Sequence, residues 1–353
     1  VLAVTVSELC ALVCLLVRKK VCKRIIDTSA GDTSTDRVAV IAKRLIKSCI
    51  PVSAAAIVVN LSSFIDLITI PRCLNFALSS DPGYFTACFS DIIKAQGGAV
   101  RLANFMYGSY TGLSWTMFML IPSFTAMFGR SALPQIAGAW TLGNRKEFER
   151  KVTVVLRSNF VIGFPLYLGL SAMSRQILEF LFSGRQQEVT VSATSLFILG
   201  LGGVFLTLSS TFISIFQVIG RSDLPVKLML PGCAVKLIFN VFTISVPVIN
   251  INGAAVSTVI MYAAVALGGY FALENVTGID FHIIRRMAVP LSAGIVCAVV
   301  SRIVYGFVGE SVNAVAALFL PIASGGAVYI ILLIIFNEIN LKSLLNRQKR
   351  KKF

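Results

Sequence analysis

Histidine is close to missing from this 353-residue chain, in which His282 is the only one. A zinc site or a histidine-based catalytic triad therefore has almost nothing to build from. Charge is scarce as well, at 14% Asp, Glu, Lys and Arg, where soluble domains carry about 25%. The eight cysteines, Cys10, Cys14, Cys22, Cys49, Cys73, Cys88, Cys233 and Cys297, contain no C-x-x-C pair. Most lie in or beside apolar runs and read as small buried residues rather than metal or redox ligands. Cys73 and Cys88 share one connection, which leaves room for a disulfide. Gly200-Leu201-Gly202-Gly203 lacks the Lys-Ser/Thr of a phosphate-binding loop, so ATP-driven transport by this chain alone is not expected. No acidic cluster suggests a metal, and no cofactor is expected. The chain opens at Val1 inside an apolar run, without an initiator Met, a basic segment or a cleavage site, and reads as a truncated start rather than a signal peptide.

What the chain has in abundance is apolar length. Hydrophobic residues make up 56% of it and the mean hydropathy is +0.83. Runs of 20 or more apolar residues recur, each enough to cross about 30 Å of hydrocarbon as a helix. Hydrocarbon forces the backbone to satisfy its own hydrogen bonds, and these runs do not alternate as barrel strands do. The fold class that follows is an all-α polytopic membrane protein with about nine transmembrane helices. Their expected positions are about 1–17, 49–70, 107–129, 153–173, 193–219, 226–249, 252–274, 287–308 and 313–336. The longer connections are 18–48, 71–106 and 130–152.

The net charge of +16 is a topology signal rather than a nucleic-acid footprint. With 18–48 placed in the cytoplasm, the inner segments hold 25 of the 32 Lys and Arg residues and the outer segments 5. The basic tail around Arg347 and Lys349–Lys352 is then cytoplasmic and able to touch anionic lipid headgroups. Local signals fit this arrangement. Asn144 and Glu147 have capping-box spacing and open a short charged helix over Arg145–Lys151. Residues 173–182 read as a short interfacial helix on the outer face. Gly220–Asp223 and Asn252-Gly253 read as tight turns.

Polar residues inside apolar spans are costly and are candidates for function. In the second span these are Asn60, Asp66 and Arg72. Asp66 and Arg72 are six residues apart, about 600° of helical rotation, and so point to different faces. Lys236 and Asn240 are four apart and share a face near mid-membrane, just beyond Pro231-Gly232. Arg302 lies in the outer third of its span, where it can snorkel. The outer loops offer Asp81, Asp91, Glu179, Glu188 and Glu310 but no histidine, a poor basis for an enzyme.

Taken in order, several stretches resemble one family. Arg44–Val52 followed by Ile65-Asp66 and Ile70-Pro71-Arg72, Tyr107–Gly112, Ser131–Ala137 leading to Gly143-Asn144, and Gly253–Thr258 are similar to segments of the stage V sporulation protein B-like polysaccharide transporters. The resemblance covers nearly all of 40–337. It implies the superfamily of multidrug and toxic compound extrusion (MATE-like) transporters, oligosaccharide flippases and the lipid II flippase, with two six-helix lobes around a central cavity. On that reading 1–34 is the last helix of the N-lobe with its linker. Residues 35–274 are the C-lobe six-helix bundle, and 275–353 are two additional helices with a basic tail. The implied function is translocation of a polyprenyl-pyrophosphate-linked oligosaccharide or cell-envelope precursor across the cytoplasmic membrane. Its partners would be that lipid-linked saccharide, membrane lipids and a coupling ion, Na+ or H+. Asp66, Arg72, Lys236, Asn240, Asn60 and Arg302 are the substrate-cavity candidates, with Arg and Lys for the pyrophosphate. The alternatives are an ion-coupled exporter of organic cations and a non-transporting scaffold in envelope or spore-coat assembly.

Overall fold

The computed structural model describes residues 9, 12–14, 38–96, 98–130, 132–308 and 313–336. The chain divides into two units, Val1–Cys49 and Ile50–Phe353. In the first, Leu9, Leu12 and Val13 are helical and exposed; the expected span 1–17 otherwise lies outside the described residues. Apart from the first turns of α1, everything below concerns the second unit.

Among the described residues the secondary structure is entirely helical. The helices are α1 (Val38–Ser80), α2 (Pro82–Gln96), α3 (Ala99–Ser109), a π-helical segment (Tyr110–Trp115), α4 (Thr116–Arg130), α5 (Leu133–Thr141) and α6 (Arg145–Ala172). They continue with α7 (Ser174–Leu181), α8 (Gln186–Val218), α9 (Asp223–Ile244), α10 (Asn252–Thr277), α11 (Ile283–Val308) and α12 (Ala314–Ile335). Seven stretches of these helices are long and apolar enough to cross a membrane: Asn60–Ser80, Arg145–Ala172, Gln186–Val218, Asp223–Ile244, Asn252–Thr277, Ile283–Val308 and Ala314–Ile335. The chain is a multi-pass membrane protein. The expected span 107–129 is helical too, but the π segment breaks it into shorter pieces.

Two local expectations need correction. The connection 71–106 is not a loop: α1 runs on to Ser80, and α2 and α3 fill most of the remainder. Its cysteines, Cys73 and Cys88, are free thiols. The charged stretch Arg145–Lys151 is not a separate short helix but the first two turns of α6. Its start is as the spacing suggests, because the Asn144 side chain accepts a hydrogen bond from the Glu147 amide at 3.1 Å. The short helix expected over 173–182 is α7, and the turn before α9 closes on Gly220 at φ 79°.

The middle of the bundle is α8, the most buried of the apolar stretches. It packs most extensively on α10 and α6, and also meets the π segment, α7, α3 and α4. Small residues make this possible. A Cβ on Gly200 would lie 2.8 Å from the Ser171 Cα of α6, so the α6–α8 seam closes only because none is there. The Ser171 hydroxyl then donates to the Phe197 carbonyl at 2.8 Å across the same seam. One aromatic cluster surrounds Phe160, Phe164, Phe212 and Phe216. A second core gathers Ile70, Leu74, Phe85, Tyr110 and Phe118 with Leu196 and Leu199 of α8. The last two helices, α11 and α12, pack on each other, and α11 rides along α6.

Gly200→Val therefore places branched bulk against backbone. It should lower stability by about 1–3 kcal/mol, the usual cost of overpacking. The check is thermal unfolding of the purified protein in detergent. An unchanged midpoint would show that the seam is looser than described.

Candidate functional site

The inner face of α1 carries Ser62, Asp66, Thr69, Ile70, Leu74 and Ala77, the i, i+4, i+7 stripe of a helix packed on one side. Its outer face carries exposed Phe64, Leu67, Ile68 and Phe76. Three polar side chains thus sit in an otherwise apolar stripe, and each must find a partner or bear the cost of burial.

The partners come from α9 and α10. On α9, Gly232 lets α10 approach so closely that a Cβ there would lie 2.8 Å from Val265 Cγ2. One to two turns further on, Lys236 and Asn240 point the same way and are both fully buried, at 0% exposure. Lys236 Nζ donates to Asp66 Oδ2 at 2.6 Å and to Ser62 Oγ at 2.9 Å. Asn240 Nδ2 donates to the other carboxylate oxygen, Oδ1, at 3.1 Å and to Thr69 Oγ1 at 2.9 Å. From α10, the Ser257 hydroxyl donates to Asn240 Oδ1. The Ser62 hydroxyl in turn donates a hydrogen bond to Met261 Sδ at 3.6 Å. The indole of Trp115 lies 5.7 Å from Lys236 Nζ, within cation–π reach.

Every strong donor and acceptor in the set is therefore used. Both carboxylate oxygens accept, both amide hydrogens of Asn240 donate, and the ammonium meets two oxygens and a ring face. The closed ion pair carries no net charge, and the network joins α1, α9 and α10 through side chains alone.

Trp115 owes its place to the π segment. The wider turn leaves carbonyls without their usual partners, and the Thr116 hydroxyl donates to the Thr111 carbonyl five residues back, at 3.0 Å. Ser114, fully buried, donates to the Ser192 carbonyl at 2.8 Å and fastens the segment to α8. Single π turns inside helices recur at functional sites.

Of the six residues expected at a substrate cavity, the structure brings three together: Asp66, Lys236 and Asn240. Arg72 is exposed on another face of α1, as the six-residue spacing from Asp66 implies. Asn60 is exposed near the start of the described inner stripe. Arg302, on α11, lines a different cleft. Ser62, Thr69, Trp115, Ser257 and Met261 complete the network and were not singled out in the sequence. The 62–66–69 spacing was the available signal for the first two. Among the described residues no group of three or more His, Cys, Asp or Glu side chains is placed to hold a metal ion. His282 sits exposed in the turn between α10 and α11, beside Asp280 at 2.9 Å.

Comparison with known proteins gives a consistent neighbourhood. No family model matches the chain. It is similar to the lipid II flippase MurJ of Bacillus subtilis (strain 168), with 22% identity over 243 residues, which is 67% of this chain and 44% of that protein. It is also similar to the uncharacterized membrane protein MJ1068 of Methanocaldococcus jannaschii, with 28% identity over 153 residues, 43% of this chain and 29% of that one. The fold matches a solved structure of lipid II flippase MurJ in its inward closed conformation. That match has a TM-score of 0.52 and 18% identity, and covers 67% of this chain and 50% of the other. Over the matched part, the all-helical polytopic fold is similar to that of MurJ. The chain spans less than half the length of the curated relatives it matches.

Removing one partner of a buried pair strands the other as a bare charge, at about 3–5 kcal/mol. Asp66→Asn and Lys236→Met should each lower stability by roughly that amount. The double variant should recover most of the loss, because no charge remains to strand. A thermal-unfolding cycle in detergent measures this, and simple additivity of the two losses would contradict the pairing.

Proposed function

We propose that this chain is the C-terminal lobe of a flippase, with two further helices. It would carry a polyprenyl-pyrophosphate-linked saccharide, a precursor of the cell envelope, between leaflets by alternating access. The observation that carries this reading is the fold shared with a lipid II flippase over 67% of the chain. Within that class, the ordered segments Arg44–Val52, Tyr107–Gly112 and Gly253–Thr258 favour the stage V sporulation protein B-like branch. The division at about 34 and 274 into linker, C-lobe and additional helix pair belongs to the same reading, as does a cytoplasmic C-terminal tail.

The Lys236–Asp66 pair acts here as a bolt. While it is closed, Lys236 is wholly buried and unavailable to substrate. Parting α1 from α9 and α10 would bring ammonium and carboxylate to a widened, wetted cavity together, where water replaces the partners each has lost. Lys236 would then join Arg72, already exposed on α1, as a cation for the pyrophosphate. On this reading a coupling ion, H+ or Na+, would act at Asp66 and release Lys236. The same pair weighs against an exporter of organic cations: Asp66, the one acid deep in the described spans, is already neutralised by Lys236.

The protein reconstituted into liposomes with a fluorescent polyprenyl-pyrophosphate disaccharide should expose label on the opposite leaflet faster than protein-free vesicles. Lys236→Ala combined with Arg72→Ala should slow this by about tenfold or more, the scale of one lost charge-assisted contact. Translocation no faster than in empty vesicles would overturn the flippase reading. Full activity in the double variant would overturn the assignment of these two residues.

A further inference from the structure

A cleft separate from the Lys236–Asp66 pair opens between the end of α6, the first turn of α7, α8 and α11. No residue of α1, α9 or α10 lines it, so it is distinct from the Lys236 network. Its volume is about 580 Å3, within the range of about 300–1,000 Å3 common for small-molecule sites.

The lining changes character along its length. Arg175, Gln176, Thr190 and Arg302 gather toward one end. Phe197 and Leu201 of α8, with Ile295 and Val299 of α11, form the other end and are all substantially exposed. Thr190 and Leu201 both line it, about 16 Å apart along α8 at 1.5 Å per residue. Arg302 lies about 9 Å from the end of α11 on the same measure. The polar residues thus lie toward the start of α8 and the end of α11, and the apolar ones toward the middle of both helices.

Two groups at the polar end lack partners. The Arg175 guanidinium is held by Glu179 at 2.8 Å. Arg302 has no ion pair or hydrogen bond among the described residues. The Oε1 of Gln176 is buried and accepts no hydrogen bond. A ligand that satisfies both supplies an anionic oxygen for the guanidinium and an O–H or N–H for the amide oxygen, and a hydroxyl does the second without adding positive charge beside Arg302. The exposed wall below asks for an apolar chain.

We propose that this cleft is a binding site for an anionic phospholipid with a hydroxylated headgroup. Its phosphate meets Arg302, its headgroup hydroxyl meets Gln176, and an acyl chain lies along Phe197, Leu201, Ile295 and Val299. The site does not depend on the flippase reading, since it shares no residue with the bolt.

The test is binding to the purified, delipidated chain by native mass spectrometry, with three probes: phosphatidylglycerol, phosphatidylcholine of the same chains, and water-soluble glycerol phosphate. Phosphatidylglycerol should bind about tenfold or more tightly than phosphatidylcholine, the scale of a charge-assisted contact. Glycerol phosphate should not compete at equal concentration. Arg302→Gln removes the cation and Ala298→Trp fills the cleft, and each should reduce phosphatidylglycerol binding by a similar factor. Equal binding of the two lipids, or binding untouched by both variants, would overturn the site. Glycerol phosphate competing as well as the lipid would overturn the lipid assignment in favour of a soluble phosphate ligand.

Discussion

An ammonium and a carboxylate in contact, shielded from both water and lipid, set the terms for this structure. Each charge alone would cost several kcal/mol to hold in such surroundings. Together, with Asn240, Ser62, Thr69 and Trp115 completing their coordination, they are tolerated. The consequence is geometric. Turning α1 by one residue, about 100°, would carry Asp66 out of reach and leave Lys236 bare. The pair therefore selects which face of α1 meets α9 and α10, a choice that apolar contacts alone would leave loose, because lipid is as good a solvent for Leu and Phe as protein is. On the proposed mechanism such a contact would have two satisfied states, one closed and one with both charges in water.

The surrounding architecture holds one side of that contact steady. α8 is the most buried of the spans, pinned to α6 through Gly200 and Ser171 and to the π segment through Ser114. The π segment presents Trp115 to the ammonium from this fixed support. α10 leans on α8 over much of its length and brings Ser257 and Met261 to the network. α1, by contrast, meets the network with a narrow inner stripe and keeps Phe64, Leu67, Ile68 and Phe76 outward. The contrast identifies α1 as the element whose displacement would open the site with least disruption elsewhere.

The membrane class was legible in the sequence because hydrocarbon imposes a length and a composition that nothing else mimics. The helix starts at Asn144 and the turn at Gly220 were legible because capping and positive φ demand particular residues. The reading faltered where context decides. The 71–106 stretch carries Lys94, Arg101, Asp81 and Asp91 and looks like a loop, yet it folds as helices that put Phe85, Ile92, Leu102 and Met106 inward. The charged start of α6 looked like a separate helix because periodicity does not say whether a capped turn continues into the membrane. Asp66, Lys236 and Asn240 stood out as costly residues in apolar runs. Their meeting did not, since residues 170 positions apart in sequence leave no local trace of contact. Arg302 belonged to a separate cleft for the same reason.

The central claim is that α1 and α9–α10 are held by this network and must part for substrate to pass. It is tested most directly by fastening them. In a cysteine-free background, Ser62→Cys and Met261→Cys place thiols on facing helices whose side chains now touch at 3.6 Å. A short, reducible thiol cross-linker should join them in high yield. The joined protein should lose translocation of the lipid-linked saccharide and regain it on reduction. Failure to cross-link would contradict the contact, and full translocation by the cross-linked protein would contradict its role as the bolt.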